Sequence, residues 1–142
     1  MNLDHALTLA SGIIGVCWTA LLVAPRARVT QRLLETDAVP LAFCVVYAVL
    51  VIPFMPGIFA QFDSLAHIDA MLNNRTLLLT SMLHFMAFDL MVGRAILTDA
   101  QRRGIPHWMM VPCLLMSLLL APIGYVMYRA VRAGNGALRR AP

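Results

Sequence analysis

The chain has 142 residues, 61% of them hydrophobic, and a mean hydropathy of +0.78. So little polar surface excludes a water-soluble globular domain and leaves an integral membrane protein. All 11 basic residues are arginine and the formal charge is +4; because they sit in short segments flanking apolar runs, nucleic-acid binding is set aside.

Four apolar runs, residues 6–24, 39–59, 76–97 and 108–128, are long enough to cross hydrocarbon as helices. No alternating strand pattern is present, so the expected fold is all-α. It is an integral membrane bundle of four transmembrane helices with a short interfacial helix between spans two and three. Residues 1–132 form a single four-span membrane domain in this reading, and 133–142 a flexible basic tail.

In the first run Ser11, Gly12 and Gly15 are small enough for a neighbouring backbone to approach. Asp4 and the missing basic n-region argue for a retained helix rather than a cleaved signal. Ala24-Pro25 closes this helix, and Arg26, Arg28 and Arg32 follow at headgroup level. Pro40 suits the first turn of the second run, while Pro53 and Pro56 kink or stop it.

Residues 57–75 are less apolar, with Ile58, Phe62, Leu65 and Leu72 at near-helical spacing, as expected of a helix lying on the membrane. Asp63 and His67, four apart, read as a solvated pair, and Asn74 as a helix N-cap. The third helix should continue to Arg103, with Asp99 and Arg103 paired and Gly104 as its C-cap. Pro106 then starts the fourth run, in which Pro112 and Pro122-Ile123-Gly124 are places to bend.

Cys17, Cys44 and Cys113 fall inside the runs without metal or redox spacing. Four crossings would put Arg26, Arg28, Arg32, Arg102 and Arg103 on one side, and Arg75, Arg129, Arg132, Arg139 and Arg140 on the other. That balance leaves orientation to Asp4, which favours an N-terminus outside the cytoplasm.

The third run holds the residues that could carry chemistry. A helix over 76–97 runs about 33 Å, with His84 and Asp89 about 4 Å either side of the midplane and Arg94 about 11 Å out. An Asp at such depth costs about 2.5 to 3.5 kcal/mol on insertion, so it should face protein and mark a site. Gly93, one turn after Asp89, clears space for a backbone or a flat ligand beside the carboxyl. His84 and Asp89 lie about 140° apart around the axis, so each needs partners from elsewhere or a substrate that touches both. A purely structural alternative has both gluing helices through Tyr47, Trp18 or carbonyls freed at the prolines. His107 opens the fourth run as an interfacial polar residue. No metal site is expected, since His84, Asp89 and His107 differ in depth, and no nucleotide or nucleophile motif is present.

His84-Phe85-Met86-Ala87-Phe88-Asp89-Leu90, Gly93-Arg94, Asp99, Arg103-Gly104-Ile105-Pro106-His107 and Pro112-Cys113-Leu114 together resemble the abscisic-acid-deficient-four family of neoxanthin-synthase-like membrane proteins. Trp18, Ala24-Pro25, Thr30, Pro40, Tyr47, Phe62 and Pro122-Ile123-Gly124 extend the likeness over nearly the whole chain, which departs from the family pattern at Met82 and Phe85. The resemblance implies a small four-helix membrane protein acting on carotenoids, in plants in the conversion of violaxanthin to neoxanthin. That conversion is an isomerisation, so no cofactor is implied. Asp89 would be the acid and His84 the base, with Phe85, Phe88, Gly93, Arg94, Tyr47, Trp18 and His107 around the substrate. The expected partners are a lipophilic carotenoid or other isoprenoid and membrane lipids, with a homo-oligomer compatible. The absence of a transit peptide and the all-arginine basic set imply a bacterial relative in an inner membrane. Polyene cleavage, a non-catalytic lipophile-binding or accessory role, and a transporter or structural bundle remain the alternatives.

Overall fold

A computed structural model describes residues 2–57 and 62–138, and every regular element among them is helical. The elements are α1 (Leu3–Val23), α2 (Arg28–Glu35), α3 (Ala38–Val51) with a 3₁₀ turn at Ile52–Phe54, α4 (Leu65–Asn73), α5 (Arg75–Arg102), α6 (His107–Leu119) and α7 (Ala121–Leu138). The last residues of the expected second span, Ile58 and Phe59, lie outside the described residues, as do Arg139 and Arg140 of the expected tail.

The local chemistry accounts for most boundaries. Asn2 caps α1 by accepting from the Asp4 amide at 3.1 Å. At its other end the buried Thr30 of α2 donates its hydroxyl to the carbonyls of Ala24 (2.7 Å) and Ala20 (3.3 Å). Each of these carbonyls already accepts one backbone amide, Ala20 from Ala24 at 3.1 Å and Ala24 from Ala27 at 3.0 Å, and the hydroxyl on their remaining lone pairs folds α2 against the end of α1. Asn74 caps α5 through the amides of Thr76 and Leu77, at 3.0 and 3.2 Å. Gly104, at φ +60°, lets the chain turn so that the Ile105 amide reaches the Ala100 carbonyl at 2.9 Å.

α5 is the central helix, packed against α1, α3, α4, α6 and α7. Its 28 residues run about 42 Å, more than the roughly 30 Å of hydrocarbon. Leu83, Leu90 and Leu97 on its inner face meet Ile14, Trp18 and Leu21 in the core. α1 and α5 are each long and apolar enough to cross a membrane, and α2 with α3, bent by 50°, supplies a third candidate if it is one broken span. Ser11, Gly12 and Gly15 do not serve the close approach expected of them: all three are exposed, and a Cβ at either glycine would meet nothing within 4 Å.

The expected fourth span is not a single helix, and the four-span bundle gives way to two or three candidate spans. Leu120 is extended (φ −151°, ψ 85°) and breaks the run. A continuous helix would drive the Pro122 ring into the carbonyl one turn before it. α7 then folds back on α6. A Cβ at Gly124 would lie 2.4 Å from the Ser117 amide nitrogen and 2.6 Å from the Cys113 carbonyl oxygen, so only a bare backbone fits. The hairpin returns to where it began: the Tyr128 hydroxyl donates to Asp99 near the end of α5, and Arg132 reaches the same carboxylate at 3.1 Å. α6, with 13 residues, extends only about 20 Å inward. Residues 133–138 of the expected flexible tail belong to α7.

The reversal redistributes charge. Arg129 and Arg132 join Arg26, Arg28, Arg32, Arg102 and Arg103 at the end where α1 and α5 finish. The opposite end has Arg75 with Asp4, Asp63 and Asp69. The even split expected from four crossings does not hold among the described residues.

Candidate functional site

The polar residues that share α5 and its surroundings meet contrasting fates. Arg94 is 8% exposed; its two terminal nitrogens reach the Asp37 carboxylate at 2.8 Å and the Leu34 carbonyl at 3.0 Å, although its Nε has no partner. It ties α5 to the junction of α2 and α3. His107 is likewise engaged. Its Nε2 donates to the Leu22 carbonyl at 2.8 Å, holding the start of α6 on the last turn of α1, while its buried Nδ1 has no partner. Around them Gln31 and Gln101 both donate to the Pro25 carbonyl, at 2.6 and 3.0 Å. Asp99 collects Arg103, Arg132 and Tyr128. From sequence, Asp99 was paired with Arg103, Arg94 and His107 were named as site residues and Thr30 as a family position, but none of the latter three was given its partner. Asp37, Gln31 and Gln101 were missed, because nothing local to them names partners far along the chain.

Asp89 and His84 are different. Asp89 is half-buried and makes no hydrogen bond or ion pair with the described residues. Among the described residues His84 has ring neighbours alone: Phe88 stacked at 4.6 Å between centroids, Tyr47 tilted at 5.0 Å and Phe85 edge-on at 5.9 Å. The hydrogen bonds to Tyr47 or Trp18 offered by the structural alternative are absent among the described residues. Gly93 leaves room, as expected, but the protein fills that room itself. A Cβ there would lie 2.6 Å from the indole ring of Trp18, which is buried and whose Nε1 has no partner among the described residues.

Around α5 the order of side chains is His84, Phe88, Phe85, Asp89, at steps of about 40°, 60° and 40°. Phe88 is 50% and Phe85 56% exposed. The imidazole and the carboxyl therefore flank an open aromatic strip on the outer side of the helix. Their Cα atoms are about 9 Å apart on a standard helix. The α6–α7 turn lies about as far inward as Asp89, by the length of α6, so the short hairpin leaves this half of α5 uncovered on that flank.

Two cavities lie elsewhere. One of about 660 Å³ opens at the arginine end beside Arg26, Gln31, Gln101 and His107. Another, about 280 Å³ and almost wholly apolar, lies between α1 and α3 over Leu79 and Leu83. Neither Asp89 nor His84 lines either of them. His84, Asp89 and His107 do not converge, and no metal-type cluster occurs among the described residues. Asp63 and His67 pair at 2.5 Å, both more than half exposed, and this hydrogen bond holds the Asp63 carboxyl below the usual range. The three cysteines are free.

A family model described as ABA DEFICIENT 4-like matches residues 5–128. No curated protein and no solved structure matches the chain.

Proposed function

The chain belongs to the ABA DEFICIENT 4-like family, and from that premise we propose that it isomerises the end group of a carotenoid or epoxy-carotenoid by acid–base chemistry within the membrane. The family makes it a carotenoid-related membrane protein. The reaction is our reading, and the observation that carries it is Asp89. A carboxyl with no partner among the described residues, in the middle of a 28-residue apolar helix, keeps its insertion penalty without a bond to offset it. Arg94 and, at the arginine end, His107 are held by the fold, which gives them positioning roles rather than substrate contacts.

In this reading the ring of the end group rests on Phe85 and Phe88 and enters sideways from the lipid. Asp89, protonated, gives its proton to the epoxide oxygen as that carbon–oxygen bond breaks. His84 takes the proton from the adjacent polyene carbon, whose electron pair forms the new double bond of the allene. One proton enters and one leaves, so the product is an isomer of the substrate. The aromatic rings around His84 keep water from the imidazole, and Tyr47 packs it from α3.

The test is pigment analysis of carotenoid-producing cells with and without the protein. A new isomer should appear, and should be lost with Asp89→Asn and with His84→Gln at equal protein levels. One observation favours a second reading. The apolar groove between α1 and α3 could hold a polyene chain with no reacting group beside it, which suits a carrier or accessory protein. In that case Asp89→Asn leaves pigment composition unchanged, while Leu83→Trp, which fills the groove, does not.

A further inference from the structure

We propose that the arginine end is a docking surface for anionic phospholipid headgroups and that it faces the cytoplasm. The inference stands apart from the chemistry at Asp89. Arg26, Arg28, Arg32 and Arg102 are all exposed, and their guanidinium groups make no hydrogen bond or ion pair with the described residues. Of the acids at this end, Asp37 is already paired with Arg94, and Asp99 with Arg103 and Arg132. Among the described residues Glu35 alone is left against these four cations and Arg129, which has only Tyr125 beside it. The described residues supply no further countercharge.

Its source follows from geometry. Thr30 and Leu33 bury one side of α2, while Arg28 and Arg32, four apart, share the exposed side. An amphipathic helix tied to the end of α1 and bent 50° from α3 presents that side at headgroup depth. Beside it the cleft of about 660 Å³ has Arg26 and the amides of Gln31 and Gln101 at a polar lip, over apolar Leu97, Ile105 and Met110. Guanidinium groups bind phosphate oxygens two at a time, and such a cleft accepts a phosphate with the glycerol and first methylenes below it. Each arginine near an anionic surface contributes about fivefold in binding. The same excess of arginine orients the chain, because basic segments stay in the cytoplasm; α4 and the N-terminus are then outside.

The test uses the full chain purified in detergent and offered phosphatidylglycerol and phosphatidylcholine of equal acyl length, with retained lipid counted by native mass spectrometry. Phosphatidylglycerol should be retained at least about tenfold better. The combined variant Arg26→Gln, Arg28→Gln, Arg32→Gln and Arg102→Gln should lose that preference at an unchanged melting temperature, while Arg75→Gln keeps it. Equal retention of the two lipids, or a preference that survives the four changes, would overturn the docking surface. Sidedness is read separately with a membrane-impermeant thiol reagent on intact cells. Ala66→Cys in α4 should label from outside and Ala27→Cys only after permeabilisation; the reverse pattern overturns the orientation.

Discussion

The middle of α5 and the end where α5 finishes treat polar groups in opposite ways. At the end nearly every polar side chain that bridges two helices has a partner from another element: Arg94 with Asp37, His107 with Leu22, Gln101 with Pro25, Asp99 with Tyr128 and Arg132. In the middle, Asp89 has none among the described residues and His84 has aromatic rings. Water and headgroups at the end make polar networks inexpensive to assemble, whereas an isolated carboxyl in hydrocarbon is a standing cost. Removal of a group should therefore harm the fold at the end, and relieve the fold but harm function in the middle.

The sharpest way to break this contrast is Gly124→Val. Its side chain would strike the α6 backbone, part the hairpin and pull Tyr128 and Arg132 off Asp99. A loss of about 3 kcal/mol is expected, at the upper end of overpacking effects, read as thermal unfolding in detergent. Asp89→Leu should act with the other sign. It relieves up to about 3 kcal/mol of insertion cost, so the variant unfolds at a higher temperature than the parent while pigment conversion is abolished. A destabilised Asp89→Leu would mean that the carboxyl has a structural partner, and the contrast would fail.

Arg94→Leu should cost about 2 kcal/mol. It strands the Leu34 carbonyl, but Asp37, with its side chain 82% exposed, is returned to water rather than left buried. His107→Ala removes one bond to the Leu22 carbonyl and should cost about 1 kcal/mol, with His107→Gln recovering part of it through its amide. The smallest effect is expected on the exposed α4. The Asp63 carboxyl is held below its usual range by His67, so the contact adds to stability above the unfolded-state pKa, near 4. It is lost as pH falls through the lower folded value. Amide exchange in the first turn of α4 should quicken at such pH while α5 is unaffected, and Asp63→Asn should show the quicker rate already at pH 6.

The apolar runs, the caps at Asn74 and Gly104, and the conflict posed by His84, Asp89 and Arg94 were legible as sequence, because each depends on composition or on neighbours within a turn. The family resemblance was legible for the same reason, in the block His84 to Arg94 and its flanks, and the match over residues 5–128 bears it out. Pro122-Ile123-Gly124 marked a bend, but whether the chain bends or reverses depends on what Gly124 meets, and that is the backbone of α6. Counting arginines in order along the chain gave an even balance for the same reason: each added or omitted crossing changes the side of every later residue. Gly93 clearly needed space, yet only packing could assign that space to Trp18 rather than to a ligand. Hydropathy and caps are local and survive in the unfolded chain. The reversal at Leu120, the partners of Arg94 and His107, and the solitude of Asp89 are relations between segments tens of residues apart, and they exist only once the helices have packed.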